Sequence, residues 1–234
     1  MIRGKGVVDP DGLPLPPPHL RLKVTGFVDA DEFLDQGARA AATIRSALKA
    51  NSTSIEAMES ILDFGCGCGR VTRHWADVPG QVTGSDYNPH LVGWCAANLP
   101  FGTFTVNQSL PPLTFEDKSF DLVYAISIFT HFTRALQREW MTELGRVLRP
   151  GGWLLFSTRS EAWADSLDSE ERRRFDMGEP VERYTNAAGT NLCAAFHPLP
   201  FVVAELAAPF DHCSTMPAAL DGRQDLHVFR KPAE

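Results

Sequence analysis

No stretch of the 234 residues approaches the ~18 uninterrupted apolar positions that a membrane span requires. The amino terminus Met1-Ile2-Arg3-Gly4-Lys5-Gly6 carries charge with no apolar segment behind it, so no secretory signal is expected there. A broad basic surface is also missing. Lys and Arg number 22 against 29 Asp and Glu, a net charge of -7, whereas phosphate binding draws most of its affinity from clustered cations. The one basic run, Arg172-Arg173-Arg174, follows Glu170-Glu171 and reads as a solvated helix face. The five cysteines (Cys66, Cys68, Cys95, Cys193, Cys213) are odd in number and scattered, which suits reduced thiols better than a disulfide framework. Cys66 and Cys68 have no second Cys/His pair at ligand-like spacing, so no metal is expected. No internal repeat is visible. These absences lead to the expectation of a cytoplasmic protein, monomer or homodimer, without nucleic-acid or membrane partners.

What is present is enough apolar residue, 44%, for one sizeable core. Residues 1–30 carry Pro10, Pro14 and Pro16-Pro17-Pro18 and are expected to form an extended arm. Residues 31–234 are expected to form a single domain. It begins with a helix from Asp31 to Ala50, where Leu34, Ala38, Ala41, Ile44 and Leu48 recur at helical spacing.

From residue 60, short apolar runs alternate with helical segments. Strands are expected at 61–64, 81–86, 103–107, 120–128 and 153–158, with helices at 70–76 and 89–98 and one after Thr133 that ends at Pro150-Gly151-Gly152. The 120–128 run is apolar on nearly every position after Asp121, as in a parallel strand covered on both faces, and belongs at the sheet centre. The alternation predicts a doubly wound α/β sheet, whose ligands bind beyond the carboxyl ends of the strands. Past residue 160 the pattern weakens to a charged helix, an irregular stretch near 184–196, a helix around Val202-Val203 and a closing strand pair.

Gly65-x-Gly67-x-Gly69 follows the first strand and gives a backbone that can turn sharply and approach a ligand without Cβ obstruction. A dinucleotide loop is spaced G-x-G-x-x-G and brings a pyrophosphate to a helix. Here the third glycine comes one residue early, and Asp63 stands two residues before the first. A carboxylate there repels a pyrophosphate but can hold the cationic amino-acid end of a ligand. Asp86, ending the second strand, can accept hydrogen bonds from both hydroxyls of a ribose. After the third strand, Asn107, Gln108 and Ser109 offer polar groups to an adenine edge, or form a plain turn.

Taken together, these segments resemble the class I methyltransferases that use S-adenosylmethionine, in the branch that methylates small molecules. Ile61 to Gly69 looks like the family's first motif, Gly84-Ser85-Asp86 like its ribose motif, Phe120 to Ala125 like its fourth strand, and Leu144 to Gly152 like its turn before strand five. The resemblance spans roughly residues 60 to 158. It implies a Rossmann-like seven-stranded sheet with an antiparallel last strand. It also implies a cofactor half at about 31–158 and an acceptor-binding half at about 159–234. Its cofactor would be S-adenosylmethionine, leaving as S-adenosylhomocysteine, held by Asp63, Gly65, Cys66, Gly67, Gly69, Asp86, Tyr87, Asn107, Gln108, Ser109 and Ala125. The helix from Asp31 would cover it, with Gln36 and Gly37 near the methionine end. Arg70 could pair the methionine carboxylate or lie on a surface helix, and the surface is preferred.

For an O-methyltransferase acting on a small molecule (a natural product, a sugar or a lipid-linked intermediate), His131 is the candidate general base. It follows the central strand and has a suitable ordinary pKa of about 6.5. It could instead cap the next helix or line the cofactor pocket. His197 and His212 are alternatives, each read as a surface histidine. Ala125-Ile126-Ser127-Ile128 stands where nucleic-acid amine methyltransferases often carry Asn/Asp-Pro-Pro-Tyr/Phe, which argues against such acceptors. A dinucleotide oxidoreductase and a non-catalytic methyltransferase-like module are the rival readings.

Overall fold

Strands that are apolar on both faces need helices above and below them, and this chain supplies both layers. The computed structural model describes residues 12–233. Two helices come first, α1 (Pro18–Thr25) and α2 (Ala30–Ala50). They are followed by β1 (Ser60–Phe64), β2 (Gln81–Asp86), α3 (Pro89–Asn98), β3 (Gly102–Val106), β4 (Phe120–Ala125), α4 (Arg134–Val147) and β5 (Leu148–Thr158). The remainder holds α5 (Ser169–Asp176), β6 (Val181–Arg183), β7 (Ala194–Phe196), α6 (Leu199–Phe201), β8 (Asp211–Leu220) and β9 (Gln224–Arg230).

Seven strands form one sheet in the order β3-β2-β1-β4-β5-β9-β8. Strands β1 to β5 are parallel, β9 runs antiparallel to β5, and β8 runs antiparallel to β9. This is the expected doubly wound sheet with an antiparallel last strand. β6 and β7 make a separate antiparallel pair that brackets the stretch the sequence presented as irregular, β6 just before it and β7 at its end.

One core layer packs Leu136, Trp140, Met141 and Leu144 of α4 against Phe156 and Phe229, and the other packs Ile44 and Leu48 of α2 against Ile61, Leu122 and Leu155. Each such fully buried side chain stabilises the fold by roughly 1.5–3 kcal/mol relative to exposure. Both helices start on side-chain caps. Asp29 accepts from the Glu32 amide at 2.9 Å, and Thr133 accepts from the Leu136 amide at 3.4 Å.

Two expectations are corrected. The proline-rich segment is not an extended arm throughout: α1 begins at Pro18, where a proline is pre-set for the first helical position. Leu20 then packs against Phe33 and Leu91, and the buried Arg21 guanidinium donates to the carbonyls of Pro16 and Val28, folding the segment back onto the domain. Residues 1–11 of that arm lie outside the described residues. After the glycine loop, the expected helix over 70–76 shortens to a 3-10 turn, Thr72–Trp75, because Trp75 is drawn inward to donate its indole N–H to the Tyr124 hydroxyl at 2.8 Å. The basic run lies on α5 as expected, paired on the surface with Glu161, Asp176, Glu170 and Glu179.

Candidate active site

The carboxyl ends of β1, β2 and β4 share one edge of the sheet because their registers align Asp63 with Gly84 and with Tyr124. At that edge lies an inner cavity of about 310 Å³. Its floor is the glycine loop. Gly65, Gly67 and Gly69 all adopt left-handed φ values, +82°, +56° and +76°. A Cβ on Gly65 would stand 2.1 Å from the Ile128 side chain, and one on Gly67 2.9 Å from Val24. The loop is thus a cradle that only glycine leaves open.

Two carboxylates flank it. Asp86 is buried and turned back onto the loop: one oxygen accepts from the Gly67 amide at 3.0 Å, the other from the Asn88 amide at 2.8 Å. Burial raises its pKa, and these two amides oppose the rise. Each oxygen still has lone-pair capacity for a ligand hydroxyl. Asp63 is more deeply enclosed, and burial pushes its pKa up to about 6. The Thr72 hydroxyl, 2.5 Å away, and the Tyr124 hydroxyl both donate to it and oppose that rise. With Trp75 donating to Tyr124, the carboxylate is fixed by a relay of three side chains.

The far wall comes from the chain leaving β4. Ser127 is held at a left-handed φ of +63°, a conformation that costs a non-glycine residue about 1 kcal/mol or more. Its amide donates to the Ser157 hydroxyl at 2.7 Å, and its own hydroxyl is bonded to Gln224 of β9. This clamp sets the turn Phe129–His131 that carries the histidine.

His131 Nδ1 lies 2.8 Å from the Cys193 carbonyl. A carbonyl only accepts, so Nδ1 carries the proton and Nε2 keeps its lone pair. Burial lowers the pKa of the ring, the Cys193 carbonyl opposes this, and the Arg159 charge adds to the lowering. A neutral imidazole with a free Nε2 lone pair is equipped to take a proton.

The inner cavity opens into a larger outer cleft of about 940 Å³, and His131, Arg70, Ser127, Ile126, Val24 and Asn191 line both. Of the residues singled out in the sequence, Asp63, Gly65, Cys66, Gly67, Asp86, Tyr87, Asn107 and His131 line the inner cavity. Gln36 lines the outer cleft instead. Gly69 packs beneath the loop against Leu99, Ala125 is buried inside its strand, and Gln108 and Ser109 are exposed on the far side of Asn107. Asn107 is tied to the sheet by the Ser85 hydroxyl at 2.6 Å.

Arg70 is no surface residue: it stands half-buried at the junction of the two cavities, facing Asp63 and Asp221. Gly37 makes this possible, since a Cβ there would lie 2.2 Å from the Arg70 carbonyl. The reading of His197 as a surface histidine also fails. It is fully buried, accepts from the Gln137 amide at 2.8 Å, has its pKa pulled down to about 3 by burial, and lines neither cavity. His212 is exposed on β8 as expected.

Sequence reasoning also missed Lys23 and Val24 of α1, and Gly189 and Asn191 of the β6–β7 loop, which close the inner cavity from above. The Asn191 side chain donates to the Lys23 carbonyl at 3.0 Å, and the Gly189 amide to the His131 carbonyl at 2.8 Å. Neither segment has a motif that would have marked it.

The architecture agrees with comparisons to known proteins. Residues 62–156 match a family model described as a methyltransferase domain. A malonyl-[acyl-carrier protein] O-methyltransferase of Erwinia billingiae is 34% identical over 131 residues, 54% of this chain and 49% of that protein. The chain therefore spans about half the length of this relative. In fold, it resembles an S-adenosylmethionine-dependent methyltransferase from Mesorhizobium loti, with a TM-score of 0.61 at 17% identity over 82% of this chain and 100% of the other. The glycopeptide N-methyltransferase MtfA in complex with S-adenosylmethionine gives a TM-score of 0.57 at 18% identity, covering 81% and 87%.

Proposed function

The chain belongs to the class I S-adenosylmethionine-dependent methyltransferases, and from that premise we infer an enzyme that methylates an oxygen of a small molecule. The observation that carries this reading is that the inner cavity is lined together by a carboxylate pair, a glycine cradle and His131. S-adenosylmethionine supplies an electrophilic methyl group on a sulfonium.

Asp86 would hold the ribose hydroxyls, and Asp63 and Arg70 would hold the ammonium and carboxylate of the methionine end. The glycine loop allows the backbone close approach, and Asn107 borders the adenine. Such fixation aligns nucleophile, methyl carbon and sulfur, and alignment of that kind is worth about 7–11 kcal/mol. His131 Nε2 would take the proton of the acceptor's hydroxyl, so that its oxygen could accept the methyl group that the bound sulfonium would supply. The base contributes roughly 10² to 10⁴ in rate. The name of the Erwinia relative, an O-methyltransferase, supports oxygen as the acceptor atom.

Calorimetry with S-adenosylhomocysteine and with NADH tests the reading. Saturable binding of the thioether is expected, together with about 10- to 100-fold weaker binding by Asp86→Asn, as one charge-assisted hydrogen bond to the ribose is lost. Tight NADH binding without S-adenosylhomocysteine binding overturns it in favour of a dinucleotide enzyme.

A further inference from the structure

The outer cleft has a charge that its own residues leave unanswered. Of the cations on its wall, Arg39 is matched by Glu32 at 3.3 Å and Asp221 at 2.6 Å, and Arg70 faces Asp63 and Asp221. Arg159 and Arg223 make no ion pair among the described residues. Both lie over one indole ring, with guanidinium carbons 5.4 Å and 5.9 Å from the Trp163 centroid.

Arg159 is half-buried. One of its terminal nitrogens donates to the Thr130 carbonyl at 3.1 Å, while its Nε is buried with no partner. A partly desolvated guanidinium without a counter-ion is costly, and a second cation over the same ring adds repulsion. Stacking on Trp163 offsets only part of this.

The placement is set by the sheet. Arg159 immediately follows β5, and the register of Thr158 with Asp225 brings the β8–β9 turn, with Arg223, to the same edge. That edge is where ligands of such sheets bind. The Thr130 carbonyl that anchors Arg159 directly precedes His131, so an anion held there lies beside the proposed base.

We propose that the methyl acceptor is an anion, its carboxylate or phosphate seated on Arg159 and Arg223 over Trp163, and its reacting hydroxyl directed at His131. This deepens the proposed methyl transfer and rests on it for the identity of the reaction. Guanidinium groups suit carboxylate and phosphate oxygens through paired N–H donors. Neutral hydroxylated molecules leave the half-buried Arg159 without a counter-ion and bind less well.

The test uses the full chain saturated with S-adenosylhomocysteine, titrated with benzoate, phenyl phosphate and benzamide as probes. At least about tenfold tighter binding of one anion over benzamide is expected, the order expected when one charge-assisted bond is added. Which anion wins separates a carboxylate site from a phosphate site. The preference should fall below about threefold in Arg159→Gln, persist in Arg159→Lys, weaken in Arg223→Gln and stay unchanged in Arg172→Gln, whose charge is paired on the surface of α5. S-adenosylhomocysteine affinity, measured in the same samples, reports folding. If Arg159→Gln loses it, Arg159→Lys and Arg223→Gln carry the comparison.

Equal affinity for benzamide, or an anion preference that survives both neutral variants, overturns the proposal. An anion preference in a protein that does not bind S-adenosylhomocysteine would instead sink the donor reading and leave the anion site standing.

Discussion

The inner cavity takes its shape from backbone. Three left-handed glycines lie within five residues, two strand-end carboxylates flank them, and the Gly67 amide ties Asp86 to the loop. The outer cleft takes its shape from long side chains far apart in the chain, Gln36, Arg70, Arg159, Trp163 and Arg223. The first can be built once and reused for one invariant ligand, because backbone groups cannot be exchanged by substitution. The second can be retuned residue by residue without touching the first. His131 stands on the boundary, braced from the acceptor side by the Cys193 carbonyl and from the sheet by the Ser127–Ser157–Gln224 clamp.

The sharpest way to break this contrast is to block the backbone cradle. Gly65→Val places a branched side chain at φ +82° and against Ile128, whose Cδ1 lies 2.1 Å from the ideal Cβ. Left-handed strain alone costs about 1–3 kcal/mol, and the overlap adds to it. S-adenosylhomocysteine binding by calorimetry should become undetectable in a protein whose circular dichroism at 20 °C shows it folded. Near-normal affinity would mean that the loop is not the cofactor's seat.

The boundary itself gives the next largest effect. His131→Gln should lower kcat by roughly 10² to 10⁴ on the identified acceptor. The same substitution should leave S-adenosylhomocysteine affinity within about threefold, because the ring binds neither ribose nor methionine end. If kcat is retained, the residue serves only to close the cavity through Cys193. A loss confined to cofactor affinity would move it to the inner site.

The unequal legibility of the two regions in the sequence follows from the same difference. Asp63, Gly65, Gly67 and Asp86 could be placed from sequence because a turn between strand and helix demands glycine at positive φ, and strand ends fix where the carboxylates fall. Arg70 could not be: its burial depends on Gly37 of α2 letting two segments touch, which no local pattern records. Arg159 and Arg223 come together only through the antiparallel register of β5 and β9, set by pairing across 67 residues between Thr158 and Asp225. His197 read as a surface residue because nothing nearby in the chain announces Gln137 as its partner. The helix inside the proline-rich segment was hidden for another reason, since proline favours an extended chain and a first helical turn equally well.

Asp63 gives the smallest and most discriminating effect, because it is held against its own stability. Its ordinary pKa of 3.8 is raised to about 6 by burial. Below about pH 4 the group is protonated in folded and unfolded chains alike, so its ionisation costs nothing. As pH rises from about 4 to 6, the unfolded chain gives up the proton while the folded chain keeps it, and stability falls, by roughly 3 kcal/mol in all at about 1.4 kcal/mol per pKa unit. Asp63→Asn removes that fall, so its thermal midpoint should gain on the wild type between pH 4 and 6 and stay ahead at pH 7.5. A ligand ammonium favours the ionised carboxylate, so S-adenosylhomocysteine affinity should tighten by up to about tenfold per pH unit below pH 6 and level off above it. In Asp63→Asn the affinity should be weaker and free of this slope. Wild-type affinity that is flat from pH 5 to 7 would take the carboxylate out of the cofactor site and leave its burial without a function.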